Sequence, residues 1–290
     1  MSALWKSILR RTPALKKDLF KFADSINATV RAVVRGQQEL FVQDLLRSHR
    51  YANASALAHF EHQVYSQNGE DDIIAEIFRR IAVGSRTFIE IGVGDGLENN
   101  SAFLLSQGWT GTWMEGSPKN ARAIRRNFTK LISSDRLRFI ESFITAENVA
   151  GLIASAGMGA EVDLLSIDID RNTYFIWEAL PLIRARLVVV EYNATLPPWL
   201  DWKVQYRADE WYDETFYYGA SLKSYEMLGQ RLGYSLVGCD LHGVNAFFVR
   251  NDLVKANFAA PFTAEALYEP ARYWLIRTMG HPRGYSEFNR

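Results

Sequence analysis

The stretch Phe88 to Asn100, FIEIGVGDGLENN, runs from an apolar segment into an acid and three glycines, Glu90-x-Gly92-x-Gly94-x-Gly96. Glycines spaced this way let a ligand approach bare backbone. The dinucleotide fingerprint needs glycine at its first, third and sixth positions. Counted from Gly92, the sixth position is Leu97, so the fingerprint fails. A carboxylate at Glu90 would repel a pyrophosphate and receive an ammonium group. Glu115 stands 23 residues after Gly92, where an acid in an open α/β fold accepts hydrogen bonds from ribose hydroxyls. The two acids suit a ligand with a ribose, a cationic amino-acid tail and no phosphate. S-adenosylmethionine has those parts.

A second constellation holds Asp168, Asp170, Glu191 and Asn193. If these residues end neighbouring strands, their oxygens converge, and hard oxygen ligands suit Mg2+ or Mn2+. Such an ion would polarise a substrate hydroxyl and lower its pKa, with Asp170 a catalytic residue. The plainer reading has Asp168 capping a strand end and Glu191 paired with an arginine. His242 is the candidate general base, on its intrinsic pKa and its place in a turn; the alternative is a turn histidine in solvent. His59, His62 and His281 have weaker claims. In SQNGEDD, Gln67 and Glu70 either close over the cofactor or belong to a helix start capped by Ser66 or Asn68, with Glu70, Asp71 and Asp72 on the dipole. Ser142, after the third predicted strand, joins the cofactor-binding set. No nucleophile-elbow spacing supports hydrolysis.

These residues need a scaffold. Solid apolar runs predict strands at 87–91, 111–115, 137–141, 162–168 and 187–191, with helices at 99–107, 118–132, 146–156 and 174–183 between them. Runs without alternation suit parallel strands buried on both faces, and repeated strand–helix units predict a doubly wound, Rossmann-like α/β sheet. After a helix at 221–232, strands at 235–240 and 245–250 are joined by a link too short for a helix, so they form an antiparallel hairpin. The connection 193–218 holds Trp199, Trp202, Tyr206, Trp211, Tyr212, Phe216, Tyr217 and Tyr218. Such a loop is a binding loop whose aromatic faces stack on sugar rings, or it buries against the aromatic carboxyl-terminal segment.

FIEIGVGDG with GTWMEGSP resembles the glycine motif and following acidic motif of class I methyltransferases. More narrowly, YSQNGEDDII, FIEIGVGDG, DLLSIDIDRNTYFIWEAL, VVVEYNA, YYGASL and GVNAFFVRNDL occur in an order similar to the FkbM-type methyltransferase family. The resemblance spans roughly 64 to 255. It implies the class I fold and methyl transfer from S-adenosylmethionine, usually to an oxygen of a sugar, glycan or other small metabolite. One departure stands at Asp170-Arg171-Asn172-Thr173, where such a family would read Asp-Gly-Asn-Asp. The lost acid at 173 keeps open a catalytically silent cofactor-binding or interaction module. A nicotinamide (NAD)-dependent oxidoreductase is opposed by Leu97 and by the hairpin.

The chain divides on this reading into a helical extension (1–60), a methyltransferase domain (61–255) and a segment packed on it (256–290). It has 290 residues, 48% of them hydrophobic, which is ample for a packed core. Formal net charge is zero, yet residues 1–35 carry eight Lys/Arg against two acids. Apolar residues at helical spacing there, with a basic opposite face, predict helices that pack on the body or on a second subunit, or that lie peripherally on an anionic membrane. Scattered basic residues elsewhere are too few for a nucleic-acid groove. The lone Cys239 excludes an internal disulfide. No run approaches a membrane span, and Lys6, Arg10 and Arg11 interrupt any secretory core, so the cytoplasm is the expected compartment.

Overall fold

The computed structural model describes residues 13–211, 215–275 and 284–289. By its internal contacts the chain forms two units, 1–52 and 53–290. The first holds the helix Pro13–Leu46, on which Leu19, Phe20, Phe22, Ile26, Val30 and Val33 are exposed. The amino-terminal part of the predicted basic arm lies outside the described residues. No described helix is long and apolar enough to cross a membrane.

The second unit is built on one sheet of seven strands: β1 Thr87–Ile91, β2 Thr110–Glu115, β3 Leu137–Glu141, β4 Glu161–Ile167, β5 Arg184–Glu191, β6 Tyr234–Cys239 and β7 Asn245–Arg250. Their order is β3-β2-β1-β4-β5-β7-β6. The first five are parallel, and β7 runs antiparallel to both β5 and β6. This is the class I methyltransferase arrangement, a Rossmann-like sheet closed by an antiparallel hairpin.

The apolar runs explain it. Successive strand residues face opposite sides, so Val188 and Val190 join one core with Ile89, Ile91 and Ile167. Leu187 and Val189 join the other with Phe88, Trp113, Leu164 and Phe247. All four β5 residues named are fully buried, as a strand covered on both faces requires. The helix Glu70–Ile81 shows how a face is covered. Its Ile73, Ile74, Ile77 and Ile81 recur at three- and four-residue spacing and pack into the second core. Burying each contributes about 1.5–3 kcal/mol relative to exposure.

Several element bounds differ from expectation, the helix expected over 174–183 ending at Glu178 and that over 146–156 starting at Val149; three others are instructive. The helix expected over 99–107 begins only at Ala102, because Asn99, Asn100 and Ser101 are drawn to Glu90. The helix expected over 118–132 breaks at Phe128, whose backbone leaves helical geometry (φ −116°, ψ 21°) while its ring packs edge-on against Trp113. Strand β4 stops at Ile167, before Asp168.

Deleting residues 1–47 is expected to leave a folded second unit, since both cores are built from residues after 52. A cooperative urea transition and native-like near-UV circular dichroism check this. Aggregation of the truncated chain would make the first helix part of the fold.

Candidate active site

The turn after β1 is shaped by close backbone approach. Gly92 has φ +84°, and a Cβ on it would lie 1.7 Å from the Asp168 carbonyl oxygen. The turn can therefore cross the end of β4 only with glycine. Gly94 (φ +57°) would place a Cβ in open space. Two adjoining cavities, of about 330 and 220 Å³, meet at Gly92, Gly94 and Asp168. They lie beyond the carboxyl ends of the parallel strands, where open α/β sheets bind ligands.

The larger cavity is lined by Glu115, Ser117, Asn120, Phe143, Ile144 and Trp211 among others. The Glu115 carboxylate accepts from Gly94 N–H (2.9 Å) and Ser117 N–H (2.7 Å), which fixes it at the wall. The smaller cavity is acidic. Gln67, Glu70, Glu90, Asp95, Glu98 and Asp168 line it, with Asn99 and Asn245.

Several predicted residues land elsewhere or do something else. Glu90 does line the small cavity, but the chain's own groups engage its oxygens. Asn99 Nδ2 (2.7 Å), Asn100 N–H (2.8 Å), Ser101 N–H (2.9 Å) and Ser101 Oγ donate to them. Burial pushes its pKa up. Glu90 thus holds the turn, and the amide oxygens of Asn99 and Asn245 on the same cavity wall are buried without a hydrogen-bond partner. Gly96 lines neither cavity; its Cβ would strike the Trp113 and Phe128 rings at 2.7 and 2.8 Å, so it is a packing glycine. Ser142 also lies off the cavity walls, its Oγ on Phe143 O at 3.2 Å; the neighbouring Phe143 and Ile144 supply the wall. The helix begins at Glu70 with Gly69 at the N-cap position and no side-chain cap from it, so neither Ser66 nor Asn68 takes the expected capping position. Gln67 and Glu70 line the small cavity, and Glu70, Asp71 and Asp72 form the first turn of the helix Glu70–Ile81, where Ser66 Oγ accepts from Asp71 N–H at 3.2 Å.

Asp168, Asp170 and Glu191 converge: one oxygen of each lies within 4.8 Å of the others. Burial, then the neighbouring Asp170 carboxylate, raises the Asp168 pKa to about 7. Glu191 is pushed well above the usual range by burial and by both aspartates, and burial alone raises Asp170. Glu191 Oε2 is buried without a hydrogen-bond partner. Asn193 does not join them. It is fully buried, donating to the carbonyls of Phe216 (2.9 Å) and Tyr218 (3.0 Å), so it pins the aromatic loop. Thr173, at the position of the missing acid, accepts from Ile169 N–H at 3.1 Å and holds the turn carrying the aspartates.

His242 is not at the opening. It is 1% exposed, with Nε2 on the Leu275 carbonyl (3.0 Å) and Nδ1 facing Glu61 (3.2 Å), and it lines neither cavity. The expected base therefore lies off both cavities. His281 and Tyr212 lie outside the described residues.

Part of the connection after Asn193 reaches the large cavity. Asn172 Nδ2 donates to Arg207 O (2.9 Å), Arg171 pairs with Glu210 (2.8 Å), and Trp211 packs on Phe143 with centroids 5.0 Å apart. Glu210 and Trp211 reach the cavity wall, while Trp211 keeps 60% of its surface exposed. Tyr218 instead meets Tyr273 of the carboxyl-terminal segment, hydroxyl to hydroxyl at 2.7 Å. One of the loop aromatics thus reaches the cavity wall and another meets the carboxyl-terminal segment. Asn99, Asn120, Asn172 and Asn245 escaped the sequence reading, because an amide in a turn carries no signal until its neighbours are known.

No protein-family model matches the chain. No curated protein sequence matches it either. Solved structures similar to it include a putative caffeoyl-CoA O-methyltransferase from Staphylococcus aureus, at 16% identity and TM-score 0.45 over 74% of this chain and 99% of that one. An O-methyltransferase from Bacillus cereus in complex with SAH gives 20% identity and TM-score 0.33, over 42% of this chain and 56% of that one. A TehB-like SAM-dependent methyltransferase from Corynebacterium glutamicum gives 12% identity and TM-score 0.36, over 74% and 98%. Strand order, rather than these scores, identifies the fold.

Proposed function

We propose that the chain is an S-adenosylmethionine-dependent O-methyltransferase acting on a hydroxyl of a sugar, glycan or related small molecule. The narrower FkbM-type reading rests on the six ordered sequence stretches. The observation that carries the proposal is the pair of cavities on Gly92 and Gly94, the larger of them lined by Glu115 and by Asp168 and Asp170 of the three-carboxylate cluster.

The residues present fit the methyl donor. A side chain at Gly94 would enter the cavity, as bare backbone against a ligand demands. Glu115 would receive the ribose hydroxyls, with Phe143 and Ile144 as the apolar wall for the base. The unpartnered amide oxygens of Asn99 and Asn245, in an acidic cavity, would receive the ammonium group. When bound, the donor supplies an electrophilic methyl group and a thioether leaving group. The residues around it have two tasks, to orient the acceptor and to take up its proton.

Asp168, Asp170 and Glu191 would hold a divalent cation, for which an all-oxygen donor set with three crowded carboxylates is suited. When bound, the ion polarises the acceptor hydroxyl. Asn172, Glu210 and Trp211 line the same cavity and would orient the acceptor, the polar groups on hydroxyls and the indole on a sugar face. The exposed apolar side of the helix Pro13–Leu46 fits peripheral membrane contact or self-association, outside the chemistry.

Calorimetric titration of S-adenosylhomocysteine, with NAD as comparison, tests the reading. Micromolar affinity for the first and none for NAD is expected. Glu115→Ala should weaken S-adenosylhomocysteine at least about tenfold, the loss expected for charge-assisted hydrogen bonds. Unchanged affinity in that variant removes the ribose assignment. Binding without turnover of any hydroxyl acceptor would favour the silent module.

A further inference from the structure

A second cluster of ionisable groups, on neither cavity wall, joins Glu61 to the turn between β6 and β7. One ligand atom each from Glu61, Asp240 and His242 lies within 4.8 Å of the others. Asp240 is fully buried, and the side chains of His242 and Glu61 are each 1% exposed. Burying two carboxylates and an imidazole together is costly unless a cation or proton compensates them.

The tautomer of His242 sharpens the point. Nε2 lies 3.0 Å from the Leu275 carbonyl, which can only accept, so Nε2 carries the hydrogen. Nδ1 faces Glu61 Oε1 at 3.2 Å without making a hydrogen bond. An imidazolium bonded to a carboxylate would close to about 2.7–2.9 Å. In the neutral ring, the Nδ1 lone pair faces a carboxylate oxygen with nothing between them. Two ligands each about 2.0–2.2 Å from one tetrahedral ion stand about 3.3–3.6 Å apart; the Nδ1–Oε1 pair, at 3.2 Å, is close to that, and an Asp240 oxygen lies within 4.8 Å of a ligand atom of each residue.

The surroundings orient all three groups. Leu241 N–H donates to Glu61 Oε2 (2.5 Å), and Val244 and Asn245 N–H groups donate to the two Asp240 oxygens (3.0 and 2.6 Å). The His242 N–H held by a backbone carbonyl is the outer-shell arrangement of metal-ligating histidines. Arg272 donates to Leu241 O and Glu269.

We propose that Glu61, Asp240 and His242 form a second, structural divalent-metal site, selective for a borderline ion such as zinc. An imidazole in the donor set favours zinc over magnesium. The ion ties residue 61 to the β6–β7 turn. That turn also places Asn245, whose Nδ2 donates to Glu70 at 2.6 Å on the wall of the smaller cavity. The site stands whether or not the chain transfers methyl groups.

The test uses the full chain, purified without metal-affinity resin, stripped with chelator and titrated with Zn2+ and Co2+. About one tightly held ion per chain is expected, with a rise in Tm on loading. Uptake should persist in an Asp170→Asn/Glu191→Gln variant, which lacks the oxygen-only cluster. His242→Gln should lose at least about tenfold in affinity. X-ray absorption of the loaded wild type decides the matter even if that variant fails to fold: a histidine nitrogen in the shell supports the site. A shell of oxygens alone overturns it, as does folded wild-type protein that takes up neither ion, or equal uptake by His242→Gln.

Discussion

Asp170→Asn is expected to lower methyl transfer at least about 100-fold while changing S-adenosylhomocysteine affinity less than about threefold, a split that marks a group acting on the acceptor rather than on the donor. The substitution is conservative where it needs to be. Asp170 adopts φ +57°, a left-handed conformation that asparagine accepts nearly as well as aspartate. The turn should therefore persist. What changes is charge, because one of three carboxylates within 4.8 Å of one another becomes neutral. That loss relieves repulsion on Asp168 and Glu191, so the variant should be at least as stable as the wild type. A variant both inactive and stable separates a catalytic loss from an unfolded one.

The companion measurement is metal removal. Dialysis against chelator should abolish turnover, and added Mg2+ or Mn2+ should restore it in the wild type but not in Asp170→Asn. Full activity after thorough chelation would rule out the ion at this cluster. Near-normal activity of Asp170→Asn would remove the cluster from the chemistry altogether. Transfer of a radiolabelled methyl group to a panel of sugar hydroxyls supplies the readout.

What was legible in the sequence, and what was not, follows from the range of the interactions. The sheet could be read because its signal is local: Leu187 to Val190 is an unbroken apolar run, and a strand buried on both faces needs nothing else. The antiparallel hairpin followed from a link too short for a crossover. Convergence of Asp168, Asp170 and Glu191 followed from strand ends lying side by side, β4 beside β5. Period and spacing do not reveal which donors the chain itself brings to a group. Glu90 looked available for an ammonium, but residues 99 to 101 fold back on it. Gly96 looked like part of a ligand cradle, but it makes room for Trp113 and Phe128. His242 looked like a base in a short turn or a turn histidine in solvent, yet Glu61 and Leu275, from remote parts of the chain, enclose it. Each of these contacts involves a partner distant in sequence or a turn whose backbone cannot be inferred from residue types.

Gly92→Ala is expected to be strongly destabilised, whereas Gly94→Ala should fold and lose ligand affinity. The methyl group at 92 would lie 1.7 Å from the Asp168 carbonyl oxygen and 2.7 Å from its carbon. The obstacle is backbone, so no side-chain rotation relieves it. Neither chain can retreat: Gly92 N–H donates to Met114 O and Asp168 N–H to Ile91 O, both at 2.9 Å, and Ile91 pairs with Ile167 across β1 and β4. Adding the strain of φ +84°, a cost of about 3 kcal/mol or more is expected, a large share of the roughly 5–15 kcal/mol that a domain has. At Gly94 the strain of about 1–2 kcal/mol acts alone, because a Cβ there meets nothing within 4 Å. The same open space is the shared wall of both cavities, so the methyl group occupies volume that the methyl donor would fill. Urea midpoints and S-adenosylhomocysteine calorimetry on the two variants separate the two roles. A Gly92→Ala protein as stable as the wild type would contradict the close approach of the turn after β1 to the end of β4. A folded Gly94→Ala protein with unchanged affinity would place the donor away from this turn.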